Sequence, residues 1–187
     1  MNPFEVVAAL FGMINVFLVV RENIWCWPTG IVNVAMYIFV FHEAKLYADM
    51  GLQVVYLALS FYGWHEWLHG GKDRGILQVS RTPRAGFGAL ALAGVLGSVL
   101  LGRFLSHATD AALPFWDSTT TSFSLVAQGM MTRKWIENWL VWISVDVVYV
   151  GMYLYKQLYV TAVLYAVFLG LSVLGLREWR AALEAEA

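Results

Sequence analysis

Two long stretches of this chain contain no charged side chain. Residues 85–102 carry none, and neither do residues 157–176. A helix rises 1.5 Å per residue, so the hydrocarbon core of a bilayer takes roughly 20 apolar residues. Backbone in lipid must satisfy its own hydrogen bonds, and an α-helix does so within one segment. The rest of the chain agrees with that constraint. It is 60% hydrophobic and 13% charged, against about 25% charged for a soluble domain. Too little polar material is present to clothe a water-facing surface of 187 residues.

Hydropathy and turn signals predict an all-α membrane protein with seven transmembrane helices near 3–20, 24–42, 48–67, 85–105, 115–132, 136–155 and 158–177. Pro114 suits the first turn of the fifth, where a missing N–H costs nothing. The basic residues test the count. The 1–2, 3–4 and 5–6 connections and the C-terminus hold Arg21, Lys72, Arg74, Arg81, Arg84, Arg133, Lys134, Arg177 and Arg180. The opposite flanks hold Lys45, Arg103 and Lys156. Nine against three follows the positive-inside rule, with the N-terminus outside and the C-terminus cytoplasmic. Six or eight helices would scramble this sorting. Segment 68–84, with Gly70, Gly71, Gly75 and Pro83, reads as a cytoplasmic connector.

Several function classes are excluded. A net charge of -1 without a basic stripe speaks against nucleic acid. No Walker A motif is present. His42, His65, His69 and His107 lack zinc-site spacing, and the serines lack a nucleophile elbow. No enzyme, metal or cofactor is expected. Cys26, the single cysteine, reads as a small buried hydrophobe. Glu5 lies where a signal peptide would be basic, so the first segment is expected to be a retained helix.

The chain also repeats itself. A shift of 112 residues lays 21–67 on 133–179 without a gap, with fifteen identities in 47 positions. They include Arg21 with Arg133, Trp27 with Trp139, Tyr37 with Tyr149, Ser60 with Ser172, Gly63 with Gly175, Glu66 with Glu178 and Trp67 with Trp179. Each half then holds three helices, with the fourth between them. The odd linker gives both halves one orientation, a parallel repeat of the kind secondary transporters use. The expected organisation is a first bundle at 1–67, the loop at 68–84, linker helix 4 at 85–105, an external loop at 106–114, a second bundle at 115–179 and a cytoplasmic tail at 180–187. A solute path between the halves is the natural hypothesis.

Asp146 is the most informative residue, since a carboxylate in mid-helix costs about 2.5–3.5 kcal/mol in a bilayer. It reads as a structural carboxylate tied to a neighbouring helix, or as a solute contact. Trp139 and Trp142 share its helix face at i, i+3 and i+7. Two indoles beside an acid suit a flat, cationic or hydroxyl-bearing ligand. Trp139 reads equally as part of an interfacial belt. Asn33 and Gln53 can read hydroxyls or a carboxamide, or can bond across helices. Trp27, Pro28 and Gly30 suggest an irregular turn lining a cavity. Tyr37 and Tyr149 are repeat mates that approach the pseudo-axis or simply pack. Asn15 and Gln128 are weaker candidates, and Asp117 reads as a helix cap.

WPTGIVN at 27–33, AKLYADMGLQ at 44–53, PFWDS at 114–118 and above all MTRKWIENWLVWISVD at 131–146 resemble the PnuC family of bacterial vitamin transporters. The resemblance spans all seven expected helices. It implies a 3+1+3 fold like a full-length SWEET transporter, a homotrimer in the inner membrane, and facilitated diffusion of nicotinamide riboside with trapping by cytoplasmic phosphorylation. It implies a binding site at Trp139, Trp142 and Asp146, assisted by Asn33 and Gln53. Thiamine transport within the family, and a proton-coupled vitamin carrier using Asp146, are the alternatives.

Overall fold

The computed structural model of the chain describes residues 3–43, 47–108 and 113–185. Lys45, residues 109–112 of the expected 106–114 loop and residues 186–187 of the tail lie outside the described residues. The α-helices are α1 (Pro3–Val20), α2 (Cys26–Glu43), α3 (Tyr47–His69), α4 (Arg84–Ala108), α5 (Pro114–Thr132), α6 (Asn138–Tyr155) and α7 (Tyr159–Ala185). Local chemistry sets their ends. α5 opens on Pro114 at its first turn. α2 begins at Cys26, which puts Pro28 in its first turn too, where proline removes no internal hydrogen bond. The expected irregular turn inside the second helix is therefore an ordinary helix start. α1 and α5 end alike. Glu22 and Lys134, 112 positions apart, take left-handed φ of 50° and 49°. The following amides, Asn23 and Trp135, return to the carbonyls of Leu18 and Met130, a closure that satisfies the last carbonyls of a helix.

Six helices close a ring. α1 packs on α2 and α7, α3 on α2 and α5, and α6 on α5 and α7. α4 stands outside this ring against α5. Its contact stripe is made of small residues. Gly94, Ser98 and Gly102 are buried at four-residue spacing, while Leu92, Leu96 and Leu100 are exposed on other faces. Small-xxx-small stripes let helix backbones approach closely in lipid.

The seven-span, SWEET-like 3+1+3 expectation needs correction. Among the described residues, two helices are long and apolar enough to cross a membrane, α4 and α7. Ala9–Val20 and Cys26–Phe39 are shorter apolar runs. The physical reason lies in the polar side chains of the ring. α3, α5 and α6 spend much of their length on Gln53, the Ser118–Ser124 hydroxyls and Asp146. Gln53, Thr121, Ser124 and Asp146 face the interior of the ring and Ser118 and Ser122 face α4, and all of them lower the apolar character that marks a lipid span. The 68–84 segment connects α3 to α4. It holds a short 3-10 turn at Lys72–Arg74, buries Val79, and pairs Ser80 with the 134–136 backbone in an isolated parallel bridge. It is a strap packed under one end of the bundle.

The α4 stripe yields a stability prediction. A Cβ at Gly102 would lie 2.6 Å from the Phe115 ring and 2.9 Å from Ser118 Oγ. Gly102→Val should destabilise the protein by about 1–3 kcal/mol, the usual cost of overpacking. Leu100→Val, at a side chain 68% exposed, should change stability by under about 0.5 kcal/mol. Thermal unfolding in detergent compares them, and equal midpoints would show that the α4–α5 contact does not hold.

Candidate functional site

The ring encloses a cavity of about 330 Å³ with walls from α1, α3, α5, α6 and α7. That is near the lower limit of small-molecule sites, about 300–1,000 Å³. α6 supplies Trp139, Trp142, Asp146 and Tyr149, and the i, i+3, i+7, i+10 spacing keeps all four on one helix face. Asp146 is 4% exposed, and Ser172 Oγ on α7 donates to its Oδ2 over 3.0 Å. One hydroxyl leaves most of the acceptor capacity of a carboxylate unused. Gln53 comes from α3, and Thr121, Ser124 and Gln128 come from α5. Tyr149 and Tyr165 face each other across α6 and α7 with ring centroids 4.5 Å apart.

A side chamber of about 90 Å³ adjoins it. The two share Asn15, Val19, Tyr56, Gln128 and Met131. Trp27 and Asn33 line this chamber. Trp139, Trp142, Asp146, Gln53 and Tyr149 thus meet in the main cavity, Trp27 and Asn33 lie beside it, and Tyr37 lines neither. Trp139 is 1% exposed, so it is no interfacial belt residue. Asp117 does not cap α5. Leu113 occupies the cap position, and Asp117 pairs with Lys156 at 3.6 Å. Sequence reasoning missed Ser172, Tyr165, Tyr56, Thr121 and Ser124. A signal existed for Ser172: it is a hydroxyl in an uncharged apolar run and matches Ser60 in the 112-residue register.

One end of the cavity is shut by reciprocal contacts. Trp67 Nε1 donates to the Met131 carbonyl and Trp179 Nε1 to the Val19 carbonyl, both over 3.1 Å. Trp27 meets Trp67 edge-on, and Trp139 meets Trp179 edge-on, each at 5.3 Å. Gly63 and Gly175 lie against the faces of Trp27 and Trp139, where a Cβ would collide with the ring. Arg133 pairs with Glu66 at 3.2 Å, and Arg21 with Glu178 at 3.7 Å. Lys134 Nζ, buried, reaches Glu22 at 2.8 Å and lies 4.5 Å from the Trp67 ring centroid. Arg81 and Thr82 of the strap bind Glu137 at the same end.

The chain matches the family described as nicotinamide mononucleotide transporter over residues 2–181. It belongs to that family. The nicotinamide riboside transporter PnuC of Escherichia coli K12 is 26% identical, over 94% of this chain and 84% of the relative. The riboflavin/roseoflavin transporter RibM of Streptomyces davaonensis is also 26% identical, over 94% and 83%. A crystal structure of the vitamin B3 transporter PnuC superposes on 100% of this chain and 85% of its own, with a TM-score of 0.76 and 25% identity. The fold is therefore that of PnuC, which completes the correction of the SWEET-like expectation. The chain is a multi-pass transporter of the inner membrane and not an enzyme.

The closed end carries the second prediction. Removing one partner of a buried ion pair strands the other charge, at a cost of about 3–5 kcal/mol. Glu22→Gln leaves the Lys134 ammonium buried without its carboxylate, so it should lower the unfolding temperature sharply. Glu22→Gln combined with Lys134→Met should recover much of that loss. A double variant no more stable than Glu22→Gln alone would contradict the pairing.

Proposed function

We propose that this chain carries nicotinamide riboside by facilitated diffusion, with cytoplasmic phosphorylation trapping the solute. The carrying observation is the charge and shape of the main cavity. Indole and phenol rings line it, and Asp146 is its one ionisable carboxyl group, with no Lys, Arg or His among the described lining residues. A pyridinium ring is flat and cationic, so it suits stacking on Trp142 and attraction to a carboxylate. Ribose hydroxyls suit Asp146, Ser172 and the α5 hydroxyls as acceptors and donors. A phosphomonoester would bring a near-dianion beside Asp146 with no cation to receive it, an unfavourable arrangement in a desolvated site. That supports the riboside over the mononucleotide of the family description.

Trp139, Trp142, Asp146, Gln53 and Tyr149 are the proposed first contacts of the substrate, with Trp27 and Asn33 beside them. The proposed orientation has the N-terminus outside and the C-terminus cytoplasmic. Its support is the gathering of Arg21, Arg81, Arg133 and Lys134 at the end closed by the tryptophans, with Lys156 at the other. The proposed assembly is a homotrimer, tested by native mass measurement, where a single-chain mass would overturn it.

Uptake into proteoliposomes tests the function. Labelled nicotinamide riboside should equilibrate with saturation and without a pH gradient, and the mononucleotide should not compete. Trp142→Ala should weaken binding by tenfold or more, since base–aromatic stacking contributes about 1–3 kcal/mol. Trp116→Ala, at an indole 54% exposed on the outer surface, should leave it unchanged. Riboflavin and thiamine belong in the same titration, because a relative of equal identity is named for riboflavin. Preference for either over the riboside would overturn the assignment.

A further inference from the structure

The closed end carries a pair of side chains that neither the tryptophan seal nor the cavity uses. The four histidines form no four-ligand zinc set, yet two of them stand one helical turn apart. Residues 65–69 read His-Glu-Trp-Leu-His and make up the last turn of α3. Positions i and i+4 share one face of a helix, so both imidazoles project from the same side. The two rings stack with centroids 4.8 Å apart, and both residues are exposed.

The local geometry prepares the pair for a metal ion. A carbonyl oxygen only accepts hydrogen bonds, so the 3.1 Å contact between His69 Nδ1 and the His65 carbonyl puts the proton on Nδ1. In the neutral ring that leaves the Nε2 lone pair for a ligand bond. Anchoring of one ring nitrogen by a backbone carbonyl is common among metal-binding histidines. Metal–imidazole bonds of about 2.0–2.1 Å need the two ligand nitrogens within about 4 Å of each other. Rings already 4.8 Å apart reach that separation by turning about their side-chain bonds. His69 is also the final residue of α3, where the negative end of the helix dipole favours a cation.

The geometry points to a two-histidine site for a divalent transition-metal ion, held by a ring nitrogen of His65 and by His69 Nε2 with water in the other positions, that clamps the last turn of α3. Imidazole suits zinc, nickel and copper, whereas magnesium and calcium take oxygen ligands. The site is no hydrolytic centre. The intervening Glu66 is committed to Arg133 at 3.2 Å, and no third His, Cys, Asp or Glu completes a ligand set among the described residues. The ion would grip a turn on which the seal depends. Trp67, inside that turn, donates its Nε1 hydrogen to the Met131 carbonyl, and its own carbonyl accepts from the Leu77 amide of the strap. A chelate across residues 65 and 69 ties the two ends of the turn that carries these contacts, so the ion stiffens the closed end. This holds whichever solute the cavity carries.

Titration of Zn²⁺ into the full chain, purified in detergent without a histidine tag, tests the site. One Zn²⁺ should bind per chain, and excess Mg²⁺ should not displace it. His65→Gln and His69→Gln should each weaken binding by about tenfold or more, the scale on which even a lost outer partner weakens a metal site. His107→Gln should leave it unchanged. Both site histidines are exposed, so the metal-free unfolding temperatures of their variants should match that of the wild type. Amide hydrogen exchange reads the clamp directly and needs no variant: Zn²⁺ should slow exchange at residues 67–71 of the wild type. Absence of saturable Zn²⁺ binding, or binding that survives in both histidine variants, would overturn the site. Saturable binding with unchanged exchange in that turn would overturn the clamp.

Discussion

The carboxylate of Asp146 has no place in hydrocarbon, and much of the molecule follows from keeping lipid away from it. Six helices close around it, and Ser172 gives it a hydroxyl from α7. The amides and hydroxyls of α3 and α5 face the same space. A polar interior of this kind is costly unless each group has a partner or a hydrated cavity. The enclosure therefore serves stability and function at once. The groups that need protection from lipid are the groups that can hold a polar solute.

Closing a ring of helices also requires its ends to be sealed, and one end is sealed by exchange. Each third helix of the matched segments sends a tryptophan N–H to a backbone carbonyl near the end of α1 or α5, on the other segment's side. Each also sends a glutamate to the arginine just beyond that end. These hydrogen bonds and ion pairs run between the two halves of the ring, while the edge-on tryptophan pairs Trp27–Trp67 and Trp139–Trp179 lie within each. Any opening of this end must break those contacts together, while the aromatic wall of Tyr149 and Tyr165 lies toward the other end of α6 and α7.

Much of the helical plan was legible from residues alone. Charge-free runs announced α4 and α7, Pro114 marked the start of α5, and the Trp139–Trp142–Asp146 spacing placed three side chains on one face. The neighbours of that face were not legible. Ser172 is 26 residues from Asp146 in sequence, and nothing local to either says they meet. The count of lipid spans was also misjudged. Helices such as α5 and α6 carry too many inward polar groups to read as apolar spans, and their place depends on packing against the ring.

The sequence by itself determined roughly where helices form, because apolar runs, proline and charged flanks act over a few residues. It also determined that a carboxylate would need shelter. Tertiary structure alone decided which helices provide it, that α4 stands outside the ring, and that Trp27 and Asn15 share a separate neutral chamber. Those outcomes depend on close packing between residues far apart in the chain, a property of surfaces brought together in three dimensions that no local pattern encodes.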